Sequence, residues 1–192
     1  MPGGRPRSFD VDAALDRALE AFWRQGYEGT SLTDLTTAMG INKPSLYAAF
    51  GNKEELFGKV LARYLGGPGA YVDEALNADT GREVIERLIH GAIDLTAGEG
   101  TPHGCLCVKT VQASGPEAHA AHREAVAARK AGEVALRKRL EQATDLPSRH
   151  EPATLAALVH TVSDGIAVQA AAGRSRAELR RIGSLALRAL LD

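Results

Sequence analysis

Apolar side chains recur three and four positions apart along this chain of 192 residues, and no sustained two-residue alternation runs between Gly or Asn turn pairs. That pattern leaves helices as the regular element able to bury an apolar face, so the chain is read as all-α. Leu15, Leu19 and Phe22, with Ala14 and Ala18 beside them, predict a helix over about 10–25 that Gly26 stops. Ser31 and Asp34 approximate a capping box ahead of Leu32, Leu35 and Met39, and Gly40 closes that short helix. Asn42 caps the next, which tolerates Pro44 in its first turn and carries Leu46 and Phe50 on its inner face. Gly51-Asn52 ends it and starts a fourth helix, striped by Leu56, Phe57, Val60, Leu61 and Tyr64. The run Gly66-Gly67-Pro68-Gly69 must break or kink any helix, because glycine raises the entropy cost and proline lacks a donor. Further helices are predicted over 71–77, 81–96, 105–114, 116–143, 152–172 and 176–191, two of them opened by the boxes Thr80/Glu83 and Ser175/Glu178.

Composition adds function classes to this frame. With 44% hydrophobic and 24% charged residues the chain is ordinary for a globular protein. It holds no apolar run near the roughly 18 residues of a spanning helix and no leader-like segment, so a cytoplasmic location is expected. A disulfide between Cys105 and Cys107 would close a strained ring, which predicts reduced thiols. The aromatic residues are unevenly placed: all of them, from Phe9 to Tyr71, precede residue 72. A net charge of -1 gives no overall basic signature, so any contact with nucleic acid must be arranged locally. Arg5 and Arg7, beside Gly and Pro and free of acids, form such a local arm. The expected organisation is an arm over 1–9, a helical domain over 10–65 and a larger helical domain over 66–192.

Two short helices joined by Gly40-Ile41-Asn42 behind a longer one have the layout of a helix-turn-helix. With Leu46 and Phe50 turned inward, Lys43, Pro44, Ser45, Tyr47 and Ala48 are left to face outward. Presented by its first turn, such a helix offers free N–H groups and a positive dipole end to phosphate while short side chains let it approach base edges. The stretches Gly29-Thr30-Ser31-Leu32-Thr33-Asp34-Leu35 and Met39 through Leu56, with Arg5-Pro6-Arg7-Ser8-Phe9-Asp10 ahead of them, closely resemble the DNA-binding domain of the TetR (tetracycline-repressor-like) family. The resemblance covers about residues 5–65. It implies an all-helical homodimer with an N-terminal helix-turn-helix domain and a C-terminal ligand-binding and dimerising domain, repressing from a palindromic operator until a small molecule binds. By it, Thr33, Lys43, Pro44, Ser45 and Tyr47 are operator contacts, Thr30, Ser31 and Lys53 hold backbone phosphates, and Arg5 and Arg7 lie across the backbone or minor groove. Ala48 and Ala49 stand where relatives often carry larger polar residues, and the Gly66–Gly69 break interrupts what is usually one long helix.

The last helices carry Leu155, Leu158, Val159, Val162 and Ile166, then Leu179, Ile182, Leu185, Leu187 and Leu190, and are read as the homodimer interface over about 152–191, with Gly165, Ala167 and Ala171 allowing close approach. For the effector, Tyr64, His103, Cys105 and Cys107 are the candidate ligand residues, and the scarcity of rings points to an aliphatic, small polar or thiol-reactive molecule. Alternatives remain: a helical bundle without nucleic acid, a thiol- or metal-responsive sensor built on Cys105 and Cys107, and an enzyme with a cysteine nucleophile. Arg129 and its basic neighbours read as a solvated helix face, and His160 with Asp164 as an ordinary helical pair. No cofactor or metal is expected.

Overall fold

Asp10 opens the first helix, α1 (Val11–Gly29), by accepting hydrogen bonds from the amides of Asp12 and Ala13 at 2.9 and 3.2 Å. The computed structural model describes residues 9–112, 115 and 118–192, and the arm residues Arg5 and Arg7 lie outside them. Gly26 breaks the helical path, at φ 76° and ψ 170°, but the chain regains one more turn. Packing explains the extra turn, since Tyr27 stacks on Phe22 with centroids 5.8 Å apart and meets Phe57 edge-on at 5.2 Å.

Helix α2 (Leu32–Met39) starts with the Ser31/Asp34 capping box and ends at Gly40 in the left-handed region, φ 67°. Asn42 caps α3 (Lys43–Phe50), and the Asn52/Glu55 box caps α4 (Lys53–Gly66). The expected break follows, with a 3-10 turn over Pro68–Ala70 before α5 (Tyr71–Leu76). Then come α6 (Gly81–Thr96), α7 (Leu106–Val111), α8 (His119–Glu141), α9 (Pro152–Ala171) and α10 (Arg176–Leu191). Two expected boundaries shorten, 105–114 to α7 and 116–143 to α8; positions 113, 114, 116 and 117 lie outside the described residues. Among the described residues there is no strand, and no helix is long and apolar enough to cross a membrane.

Two apolar cores form. One joins α1–α4 around Phe22, Phe50, Phe57 and Tyr64, and also takes in Leu106, Cys107, Ala118 and Ala121 from far along the chain. The second joins α5, α6 and α8–α10 around Ile85, Ile89, Leu136, Val159 and Leu179. The stripe assigned to an intermolecular interface therefore divides, a correction to the sequence reading. Leu155, Val159, Ile166, Leu179 and Leu190 are buried in the chain's own core, while Leu158 and Val168 on α9 and Ile182 and Leu185 on α10 stay exposed, Leu185 at 62%. Period 3.6 places two apolar stripes on each helix, and sequence alone does not say which one faces a second copy.

Candidate functional site

The turn between α2 and α3 holds α3 by its inner face. Leu46 and Phe50 are buried, and the Arg17 guanidinium on α1 donates to the Met39 carbonyl at 3.3 Å, tying the end of α2 to the bundle. Outward, α3 shows Lys43, Pro44 and Ala48, with Ser45 half-buried and Tyr47 49% exposed. Tyr47 is the largest ring left in water, on a helix whose first-turn donors are only partly used by the Asn42 side chain, which accepts from the Ser45 amide at 2.9 Å. Thr33 is exposed one helix earlier.

Three residues implied for phosphate contact fare differently. Thr30 is fully buried and its hydroxyl donates to the Gly26 carbonyl at 2.7 Å, so its side chain is withdrawn from any partner, a correction caused by the extra turn of α1. Ser31 is exposed, but its hydroxyl donates to Asp34 at 2.6 Å while accepting from the Asp34 amide at 3.1 Å. The Ser31 hydroxyl and the Ser31 amide, which also donates to the carboxylate at 2.8 Å, hold the Asp34 carboxyl below its ordinary range. The Lys53 ammonium sits 4.4 Å from the centre of the Tyr27 ring, which fixes its direction at the start of α4.

A cavity of about 430 Å³ lies on the other side of α4, between α5, α6, α8 and α9. Tyr64, Tyr71, Cys105 and Cys107 line one wall, and Arg129, His160, Ser163 and Asp164 another, among Leu, Val, Ala and Gly. His103, expected to join the thiols, is exposed and lines no part of it, because the chain turns at Gly104 (φ 89°) between them. Among the described residues no group of three His, Cys, Asp or Glu is placed to hold a metal. Arg129 and Asp164 form an ion pair across α8 and α9 rather than belonging to a solvated face and an ordinary helical pair. Burial lowers the His160 pKa, as does the nearby Arg129 charge. Sequence spacing could not have found this set, since α8 and α9 meet only through tertiary packing.

The thiols differ from each other. Cys105 is pushed below the usual thiol range by the Cys107 thiol and the Tyr64 hydroxyl, which donates to its sulfur at 3.3 Å, and by the amides of Val108 and Cys107. Cys107, a free thiol hydrogen-bonded to Cys105 and buried, is pushed up. The segment bearing them is pinned to the N-terminal bundle. The Trp23 indole donates to the Gly104 carbonyl at 2.7 Å, and the Lys109 ammonium to the Trp23 carbonyl at 2.8 Å. Trp23 also meets Tyr64 edge-on at 5.0 Å, so the cavity wall and the base of α1 share one set of contacts.

Comparison with known proteins bears on both halves. Residues 14–60 match the family model of bacterial regulatory proteins, tetR family. The chain is 31% identical over 190 residues to the HTH-type transcriptional repressor ComR of Escherichia coli (strain K12), covering 96% of this chain and 90% of that one. It is 34% identical over 117 residues to the repressor BdcR of the same organism, 60% of this chain and 59% of that one. Among solved structures, a cysteine mutant of the TetR family transcriptional regulator CifR complexed with 26 bp of double-stranded operator DNA superposes with a TM-score of 0.92 at 39% identity, covering 97% of this chain and 100% of that one.

Proposed function

Because the chain belongs to the TetR family, matched along nearly its whole length by a repressor of that family, we propose that it represses transcription from a palindromic operator and lets go when an effector fills the cavity behind α4. It is a DNA-binding regulator whose relatives are transcriptional regulators rather than enzymes. The observation that carries the site assignment is the α3 surface, where Lys43, Pro44 and Tyr47 stand exposed over a buried Leu46 and Phe50. Those three, with Thr33 and Ser45, contact the operator; Ser31 and Lys53 flank it at helix starts, and Arg5 and Arg7 reach the backbone. Residues 10–65 make the reading head and residues 66–192 the effector and dimer unit. Two copies pair through the exposed stripes of α9 and α10, which sets the two reading helices about one DNA turn apart, roughly 34–36 Å. Work on operator DNA implies a cytoplasmic location.

The test is a shift assay on DNA flanking the protein's own gene. Specific retardation that Lys43→Ala abolishes, with the dimer intact in sedimentation, is the expected result; equal affinity for that DNA and an unrelated duplex overturns the reading.

A second reading is favoured by the Tyr64–Cys105 contact, in which the effector is electrophilic. The Cys105 thiolate adds to the β-carbon of an unsaturated carbonyl compound; an S–C bond forms, the C=C pair moves to the α-carbon, and that carbon takes a proton from water. Loss of the response in Cys105→Ser separates this reading from reversible binding.

A further inference from the structure

The two cavity walls differ in what they leave unused. Tyr71 opens α5, and its ring lies flat against α6 at Gly91, where even a Cβ would come within 2.2 Å of it. A larger residue at 91 would expel the ring, so the backbone is shaped to hold Tyr71 where it is. Tyr71 lines the cavity, and its hydroxyl has no hydrogen-bond partner among the described residues. Opposite, Arg129 places one N–H on Asp164, and its remaining donors have no partner among the described residues. Both residues are half-buried and line a largely apolar cavity, so an acceptor entering it could take hydrogen bonds that no protein group takes.

We infer that Tyr71 and Arg129 together bind the oxygen of a neutral, saturated-bodied carbonyl compound, and so set the effector class. The inference rests on the cavity being the effector site. Charge selects against ions. Among the described residues Arg129 is the one Lys or Arg lining the cavity, and Asp164 already neutralises it; the other lining carboxylate, Asp73, is exposed in water. A carboxylate would therefore meet no uncompensated positive charge, and an ammonium would leave both donors unanswered. Leu88, Ala92 and Val159 make much of the rest of the lining aliphatic, and the Ser163, Thr96 and Tyr64 hydroxyls already donate to the Val159 carbonyl, the Ala92 carbonyl and the Cys105 sulfur, which leaves His160 and the two thiols as the other polar groups facing the body of the molecule. About 430 Å³ lies toward the small end of the roughly 300–1,000 Å³ usual for ligand pockets.

The experiment titrates the full-length protein with cyclooctanone, methylcyclooctane, cyclooctanecarboxylate and cyclooctylammonium, following Trp23 fluorescence and heat. All four share a ring, and a saturated ketone does not alkylate Cys105, so covalent capture is excluded by design. The ketone should bind at least roughly tenfold more tightly than the hydrocarbon or either ion, the scale of one buried hydrogen bond. Tyr71→Phe keeps the ring on Gly91 and should erase most of that advantage while the hydrocarbon binds as before. The double variant Arg129→Met, Asp164→Leu, which leaves no lone charge, should do the same. Equal binding of ketone and hydrocarbon, tighter binding of an ion, an undiminished advantage in Tyr71→Phe, or no binding at all overturns the inference. Operator affinity measured on the same samples separates the two claims: ketone binding without operator release upholds this site and sinks the effector reading.

Discussion

The two cores of this molecule are built from different side chains. The N-terminal core packs Phe22, Tyr27 and Phe57 on one another, and Trp23 on Tyr64, by edge and face contacts, whereas the core of α6, α9 and α10 is aliphatic and carries a cavity beside it. Large rings fill a small bundle densely and leave its α3 in one position, which suits a surface that must match DNA. Small side chains such as Ala128, Ala131, Gly132 and Ala135 leave space, which suits a unit that must take in a molecule. What joins the two is α7, sharing the aromatic core through Leu106 and Cys107 while lining the cavity through Cys107 and Val108.

The hardest blow to this contrast is Phe22→Ala, expected to cost about 3–5 kcal/mol because Phe22 is wholly buried between two rings. Since α7 and the start of α8 belong to the same core, denaturant unfolding should remain one transition at a lower midpoint. Two separated transitions would show that the aromatic and aliphatic cores are independent units. Next in size is Tyr47→Ala, which removes a half-exposed ring outside both buried cores. Stability should stay within about 0.5 kcal/mol, while specific operator affinity should fall by about 1–3 kcal/mol. Unchanged operator binding would strip α3 of its reading role. Smaller again is the arm: Arg5→Ala with Arg7→Ala should flatten the salt dependence of binding by up to about two phosphate contacts, read as the slope of affinity against salt concentration.

The sequence made some parts of this arrangement readable and hid others for physical reasons. Helix starts were legible because Ser31, Asn42, Asn52, Thr80 and Ser175 satisfy amides only a few residues away. The break at Gly66-Gly67 was legible for the same local reason. The turn after Gly26 was not, because Tyr27 is held by Phe22 and Phe57 from two helices, and with it went the exposure of Thr30. Arg129 and Asp164 lie 35 positions apart and face each other only because α8 packs on α9. His103 adjoined the cysteines in sequence and left them in space at Gly104. Local chemistry is written in neighbours; the cavity is written in packing.

The finest distinction between the halves lies at their seam, in the Tyr64 hydroxyl. It comes from the aromatic core and donates to a thiol on the cavity wall, favouring the Cys105 thiolate. Tyr64→Phe keeps the ring against Trp23 and removes that one bond, so folding should change little. Alkylation by iodoacetamide should then need higher pH: in the native protein its rate should already be near its plateau around neutrality, and in the variant its midpoint should move toward the ordinary thiol value of about 8.5. A thiol pKa lowered by folding adds stability that is fully present above the unfolded value and is lost as pH falls through the folded one. The native protein should therefore lose more stability than Tyr64→Phe as the pH is taken from above the ordinary thiol range into mild acid. Identical alkylation profiles for the two proteins would mean that Cys107 and the α7 amides alone tune Cys105, and that the aromatic core reaches the cavity by packing without touching its chemistry.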